Sequence, residues 1–203
     1  VEYAAAKIIE DMSGADMVID IHASNIFLKE IPQVRINEMC QETLVPYAKR
    51  LNIDYIWIHS AATVLESTLA HSLNMTGTPC LVVEMGVGMR ITREYGNQLT
   101  DGIFTLMKDL GIWDGPVTEP KEPIVSTDGN VSYLNAAYSG IFVPCVEHWI
   151  NVKKGEKIGE IVDPLTGALL EEVLSPVTGV LFTLREYPVV YEGSLVGRIL
   201  ERD

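Results

Sequence analysis

The chain has 203 residues, of which 47% are hydrophobic, so it is long enough to bury one large core or two small ones. Its 28 acidic residues against 15 basic ones give a formal charge of −13, which repels nucleic-acid phosphates and anionic membrane surfaces. No apolar run approaches the roughly 20 residues that cross a bilayer, and no signal-peptide pattern opens the chain. We therefore expect a soluble protein with no nucleic-acid and no membrane partner.

The cysteine pattern bears on the cellular compartment. Cys40, Cys80 and Cys145 are odd in number, far apart and form no CxxC motif, which favours neither a disulfide framework nor a cysteine-based zinc site. We expect a cytoplasmic protein. The sequence opens on Val1 and goes directly into "VEYAAAKIIEDM", whose apolar residues recur at helical spacing. We expect further sequence to precede this helix.

The first 113 residues alternate between helix-like and strand-like patterns. Helical periodicity covers 1–12, 37–51, 63–73 and 93–112, although Pro46 interrupts the second of these helices. Buried-looking strands are "MVIDIH" at 17–22, "DYIWIHS" at 54–60 and "CLVVEMG" at 80–86. This alternation predicts an α/β domain over residues 1–114, with a mainly parallel sheet flanked by helices.

The composition changes after this domain. Residues 115–123, "GPVTEPKEP", contain three prolines and several charges, which predicts a linker. Residues 124–203 are β-rich and contain an internal repeat, because "SGIFVP…VKKGEKIGEIV" at 139–162 resembles "TGVLFT…VYEGSLVGRIL" at 178–200. We expect a small β-barrel or sandwich with pseudo-twofold symmetry. The paired halves resemble biotinyl and lipoyl carrier domains, but the tip between them, 163–172, has no lysine to modify. A carrier or scaffold role remains only as an alternative.

Two of the predicted strands end in polar side chains. "MVIDIH" ends in His22 and "CLVVE" ends in Glu84, and in parallel α/β sheets ligands bind at the carboxyl ends of strands. Neutral imidazole is a common zinc ligand, and a nearby carboxylate can exchange protons with a water molecule. The period of two along a strand places Asp20 on the face of His22, where it could orient the imidazole. Purely structural roles for these residues remain the alternative.

The motifs in chain order resemble one family. "IDIHAS", "TGTPCLVVEMGVG", a helix ending "LGI", a Pro-rich linker and a duplicated lipoyl-like domain are together similar to the succinylglutamate desuccinylase/aspartoacylase family, whose members are zinc-carboxypeptidase-like deacylases. The resemblance implies that His22 is a zinc ligand and Glu84 the general base and acid. It also implies Zn²⁺ as cofactor and hydrolysis of an amide bond in a small N-acyl amino acid or amine.

The chain departs from the family pattern in its metal ligands. Relatives take two zinc ligands from an H-x-x-E motif, which does not occur in these 203 residues. A catalytic zinc normally needs three protein ligands, so His22 alone cannot hold it. We expect the remaining ligands to come from an N-terminal part of the protein that this sequence lacks. The alternative is a catalytically inactive fragment or pseudoenzyme that acts as a binding or assembly module.

The substrate pocket differs as well. Where relatives carry an arginine in a "TLR"-like segment, this chain has Thr68-Leu69-Ala70. Arg35 is the candidate replacement that would bind a substrate carboxylate, and the alternative for Arg35 is a solvated charge. An incomplete sheet would also expose an apolar edge, so we expect self-association into a homo-oligomer.

Overall fold

The computed structural model describes residues 2–60, 68–127 and 130–202. The chain forms two compact units. Unit 1 comprises Val1–His22, Pro32–Glu84 and Arg93–Asp128, and unit 2 comprises Ala23–Ile31, Met85–Thr92 and Gly129–Asp203. The predicted domain limits of 1–114 and 124–203 stay a prediction, while the contacts assign residues 115–128 to unit 1 and two earlier segments to unit 2.

Unit 1 is a mixed α/β structure. Its helices are α1 (Glu2–Met12), α2 (Gln41–Ala48), α3 (Leu69–Met75) and α4 (Arg93–Asp109), with a 3₁₀ turn at Glu38–Cys40. Its strands are β1 (Val18–His22), β3 (Tyr55–His59), β4 (Cys80–Gly86) and β5 (Ile124–Thr127), together with the second part of β2 (Leu28–Asn37). The strand order is β1-β4-β2-β3-β5, and the pairs β1–β4, β2–β3 and β3–β5 are parallel. The expected parallel sheet is therefore present in this unit.

The apolar runs of the strands form the core of unit 1. Every residue of β3 before His59 is buried, as expected for a central strand covered on both faces. At the end of the sheet formed by β1 and β4, Val18 and Cys80 pack with Ala70 and Leu73 of α3 in one buried cluster. Thr68 begins α3 by accepting a hydrogen bond from the His71 backbone N–H at 3.3 Å. The predicted helix at 63–73 falls partly on residues 61–67, which lie outside the described residues.

Strand β2 was not predicted from the sequence. Residues 28–37 read "LKEIPQVRIN", in which charged residues and a proline interrupt the apolar pattern. The structure buries most of this strand nevertheless, including Glu30 and Gln33. Arg35 therefore lies within a strand that pairs on both sides. The predicted helix at 37–51 is correspondingly shorter, and Pro46 lies inside α2 near its C-terminal end.

Unit 2 is built from antiparallel strands. After the first part of β2, these are β6 (Val131–Asn135), β7 (Gly140–Pro144), β8 (Ile150–Val152), β9 (Lys157–Val162), β10 (Leu169–Leu174), β11 (Gly179–Arg185), β12 (Val189–Val190) and β13 (Leu195–Glu201). One sheet has the order β2-β11-β13-β6 with β8 also on β11, and the other has the order β10-β9-β7-β12. Both sheets contribute to one core that includes Phe142, Ile161, Leu181 and Ile199.

The internal repeat has a structural counterpart. In the first copy β7 pairs antiparallel with β9, and in the second copy β11 pairs antiparallel with β13. The matching turn glycines, Gly155 and Gly193, both have φ of +82°, a conformation that glycine adopts without strain. The described strands of this unit form two open sheets around a shared core, which fits the sandwich form of the expectation. They do not form a closed barrel, which was the other form of the expectation, because β12 ends its sheet and pairs with β7 alone.

Among the described residues, no helix combines the length and the apolar character that crossing a membrane requires.

Candidate functional site

The strand pairing of unit 1 places His22, the predicted zinc ligand, next to Glu84, the predicted catalytic residue. In the parallel pair β1–β4, His22 and Glu84 are register partners. They follow Asp20 and Val82 along the same face, because side chains two residues apart on a strand share a face. The carboxyl ends of two neighbouring strands thus present an imidazole and a carboxylate side by side.

Asp20 contacts the imidazole directly. His22 Nε2 lies 3.0 Å from Asp20 Oδ1, with the His22 side chain 46% exposed and the Asp20 side chain 25% exposed. A carboxylate that accepts the Nε2 proton fixes the ring orientation and leaves Nδ1 with its lone pair available. Asp20 is therefore placed to orient His22 from the same strand.

Glu84 is more buried than its register partner His22. Its side chain is 15% exposed, and Glu84 Oε1 lies 3.7 Å from Arg35 Nη1 on β2. Glu84 Oε2 is buried and accepts no hydrogen bond from the described protein residues. A buried carboxylate oxygen without a hydrogen-bond donor is costly in a purely structural role, and such groups call for a functional explanation. The structure thus brings Glu84 and Arg35 together.

Arg35 is held from a second direction. Its guanidinium carbon lies 5.5 Å from the centre of the Trp57 ring on the neighbouring strand β3, and Arg35 and Trp57 are register partners. The Trp57 ring in turn lies 4.4 Å from the His59 ring. Stacking on an indole is a favourable position for a guanidinium. Arg35 is therefore a fixed component of the sheet surface beside Glu84.

These side chains line a cavity of about 470 Å³ within unit 1. All four predicted site residues, Asp20, His22, Arg35 and Glu84, contribute to its wall. Further lining residues come from β2, the 3₁₀ turn, α2, β3, α3 and β4, and they are Ile36, Asn37, Cys40, Leu44, His59, Thr68, Leu69, Ala70, His71, Asn74, Cys80 and Val82. The volume is within the range of small-molecule sites.

Cys80 lines this cavity but is not a nucleophile. Its burial, with a smaller contribution from the negative charge of Asp20, raises the pKa of the Cys80 thiol to about 12. The thiol therefore stays protonated near neutral pH, and the reactive form of cysteine is the thiolate. The side-chain amide of Asn74 fixes the Cys80 backbone, accepting from its N–H at 2.8 Å and donating to its carbonyl at 3.0 Å.

Some lining residues were missed from the sequence. Asn37 ends β2 as the register partner of His59, which ends β3, so a second strand pair also presents polar side chains at the cavity. The signal that could have identified Asn37 was its position before a helix, where it accepts a hydrogen bond from the Met39 backbone N–H at 2.9 Å. Tyr187 and Tyr191 line a different cavity, which lies within unit 2.

The described residues supply only part of a zinc ligand set. Within residues 2–60, 68–127 and 130–202, no three His, Cys, Asp or Glu side chains are grouped closely enough to hold a metal ion. His22 offers one imidazole nitrogen, a ligand type that suits zinc, and Asp20 lies beside its other nitrogen. These residues alone therefore do not form a complete catalytic zinc site.

Comparison with known proteins supports the fold. No protein-family model matches the sequence, and no curated protein matches it either. Among solved structures, a succinylglutamate desuccinylase from a Silicibacter species superposes with a TM-score of 0.82 at 17% identity, over 98% of this chain and 62% of that one. The ectoine utilization protein EutE (DoeB) from Ruegeria pomeroyi gives 0.80 at 17% identity, over 99% of this chain and 64% of that one. The chain has the fold of the succinylglutamate desuccinylase/aspartoacylase proteins.

A third solved structure agrees with these two. A succinylglutamate desuccinylase/aspartoacylase from Rhodobacter sphaeroides gives a TM-score of 0.79 at 18% identity and covers all of this chain. The chain spans 62% to 64% of the lengths of these three proteins. The similarity therefore covers essentially all of this chain, in both of its units.

Proposed function

We propose that the protein is a zinc-dependent deacylase that hydrolyses the amide bond of a small N-acyl amino acid or amine. The observation that carries this proposal is the register pair of His22 and Glu84 at the carboxyl ends of β1 and β4, on a wall of a 470 Å³ cavity. The fold shared with solved desuccinylase/aspartoacylase structures supports the same reaction class.

His22 would be one zinc ligand in this proposal. Asp20 Oδ1 lies 3.0 Å from Nε2, so it would orient the ring and leave Nδ1 as the nitrogen that could bind the metal. Zinc, when bound, supplies a Lewis acid that polarises a carbonyl and lowers the pKa of a water molecule. Since no H-x-x-E motif occurs in these 203 residues, the other ligands would come from residues outside this sequence.

Glu84 would move the protons of the reaction. Its buried Oε2 accepts a proton from the attacking water while the oxygen of that water bonds to the amide carbonyl carbon. Glu84 then returns the proton to the leaving nitrogen as the C–N bond breaks, which releases an amine and a carboxylic acid that afterwards loses its proton. Arg35 keeps the carboxylate in place through Oε1 and thereby leaves Oε2 for this exchange.

Unit 2 would be a lipoyl-like domain without the carrier function. The twofold repeat of strand pairs β7–β9 and β11–β13 supports this description. The turn between β9 and β10, residues 163–168, carries no lysine that could be modified. A mass spectrum of the purified protein showing a biotinyl or lipoyl adduct would contradict it.

The test compares two glutamine substitutions in the full natural gene product. Glu84→Gln removes the proton acceptor without changing the side-chain volume, and we expect hydrolysis of N-acyl amino acids to fall by roughly 10²-fold or more. Glu122→Gln is the matched control, because Glu122 is 75% exposed and pairs with Lys49 away from the cavity. Equal hydrolysis by the Glu84→Gln variant and the parent would refute the proposal.

A second candidate is an inactive binding module. The observation that favours it is that no three potential metal ligands lie close together among the described residues. In that case the full natural gene product would bind no stoichiometric zinc, and Glu84→Gln would alter no activity. Zinc analysis of the purified protein separates the two candidates.

A further inference from the structure

The charge distribution of the unit 1 cavity bears on the substrate class. Its described lining residues include two carboxylates, Asp20 and Glu84, and one basic side chain, Arg35. Arg35 already faces Glu84 at 3.7 Å and stacks on Trp57. Among the described lining residues, a second carboxylate on a ligand would therefore meet no lysine and no arginine other than Arg35, which is already engaged.

The cavity changes from polar to apolar along the strands. On β4 the side chains of Glu84, Val82 and Cys80 follow one another on one face. At about 3.3 Å per residue, this face extends about 13 Å from the Glu84 position into the protein. The apolar and thiol side chains of the lining are Ile36, Leu44, Leu69, Ala70, Val82 and Cys80, and the α3 region adds Thr68, His71 and Asn74.

The apolar end of the cavity is continuous with the core. Ala70 and Cys80 belong to the buried cluster beneath α3, and Leu69 and Val82 pack against that cluster. Cys80 adds no charge there, because its thiol is protonated at neutral pH. The polar atoms of Asn74 at this end are engaged with the Cys80 backbone. A carboxylate bound there would lose its hydration and meet no lysine or arginine among the described residues of this part of the wall.

We propose that the cavity binds a substrate whose acyl group is an uncharged hydrocarbon chain, with the reacting carbonyl at His22 and Glu84 and the chain along Val82 and Cys80. This inference rests on the proposed function for the position of the carbonyl. An acyl group that ends in a second carboxylate would place that charge against the apolar wall.

The experiment uses two matched probes on the full natural gene product. Octanoate and octanedioate have the same chain length and the same first carboxylate, which mimics the acid released by hydrolysis, and only octanedioate is charged at its far end. Isothermal titration should give octanoate a dissociation constant at least about tenfold lower, since the distal carboxylate is desolvated without a partner. Equal or tighter binding of octanedioate, or no binding of either probe, would overturn the inference.

Two variants of Leu69 test whether the hydrocarbon chain of the probe lies along the apolar wall. Leu69 is the first residue of α3 and half-buried, so Leu69→Lys places a cation at the apolar wall and should reduce or reverse the preference for octanoate. Leu69→Gln is the uncharged control, which should weaken octanoate without strengthening octanedioate. Circular dichroism confirms that each variant is folded. An unchanged preference in Leu69→Lys would contradict binding along this wall.

The outcomes separate this inference from the proposed function. A preference for octanoate in a protein that hydrolyses no N-acyl substrate would reject the deacylase and retain an apolar binding cavity. Hydrolysis of N-succinyl substrates with a preference for octanedioate would support the deacylase and reject the hydrocarbon acyl group.

Discussion

His22 and Glu84 are register partners on the neighbouring parallel strands β1 and β4, and Asp20 lies 3.0 Å from the His22 imidazole on the same strand. This pair of neighbouring strands therefore holds an imidazole, a carboxylate in contact with it and a second carboxylate close together. Side chains on strands of a sheet are positioned more precisely than side chains on loops. In the proposed deacylase, this arrangement would account for the acid and the imidazole at the end of β1, a strand of which only Val18 is buried.

The contact between Asp20 and His22 predicts a positioning role for Asp20. In the full natural gene product, Asp20→Asn should lower zinc affinity by roughly 10 to 100-fold, because the amide holds the ring orientation less firmly and makes the imidazole less basic. The measurement is competition for zinc with a chromophoric chelator. The matched control is Asp11→Asn, a substitution on the exposed helix α1. Zinc affinity equal to that of the parent would show that Asp20 does not act through His22.

The packing of α4 predicts opposite effects for two glycines. A Cβ on Gly102 would lie 2.0 Å from the Leu51 backbone, whereas a Cβ on Gly96 would meet nothing within 4 Å. Gly102→Ala should therefore destabilise the protein by about 2 kcal/mol, because the helix must move away. Gly96→Ala should stabilise it by roughly 0.5 to 1 kcal/mol through helix propensity. Urea unfolding measures both, and equal effects would contradict the contact at Gly102.

A buried ion pair predicts a stability effect within unit 2. Glu30, only 1% exposed, accepts hydrogen bonds from Thr183 Oγ1 at 2.5 Å and from Arg198 Nη1 at 2.7 Å. Arg198→Met should destabilise the protein by about 3 kcal/mol, because it leaves a buried carboxylate without its cation. Adding Glu30→Gln should restore part of the loss, and the double-mutant cycle measures the coupling. Additive single effects would show that the two side chains are not coupled.

The sequence predicted much of this fold, and the exceptions have a physical cause. Strands β1, β3 and β4 were visible because each is a short apolar run between turn residues, and the period of two placed Asp20 on the face of His22. Strand β2 was missed because its buried polar residues have partners far along the chain: Glu30 contacts residues 183 and 198. The pairing of His22 with Glu84 also depends on strand order, which the local pattern does not specify.

His148 predicts a pH dependence of stability. Burial, together with the positive charge of Lys29, lowers the pKa of His148 below its ordinary value of 6.5, while the carboxylates of Glu147, Glu30 and Glu186 act in the opposite direction. Below pH 6.5 the unfolded chain therefore binds a proton more readily than the folded chain, and stability falls as the pH decreases.

Substitution of His148 checks this assignment. We expect His148→Gln to lose less stability than the parent when urea unfolding at about pH 7.5 is compared with unfolding at about pH 5.5. The matched control is His71→Gln in unit 1, which removes a histidine but leaves His148 in place, so the part of the pH dependence that His148 causes should persist. An identical pH dependence in His148→Gln and the parent would exclude His148 as its source.

The most direct test of the central claim measures the zinc content of the full natural gene product in three forms. These are the parent, the His22→Ala variant and the His71→Ala variant. His71 lines the same cavity but is not a proposed ligand, so it is the matched control. We expect one zinc per chain in the parent and in His71→Ala, and loss of that zinc in His22→Ala. Stoichiometric zinc retained by His22→Ala, or no zinc in the parent, would contradict the account.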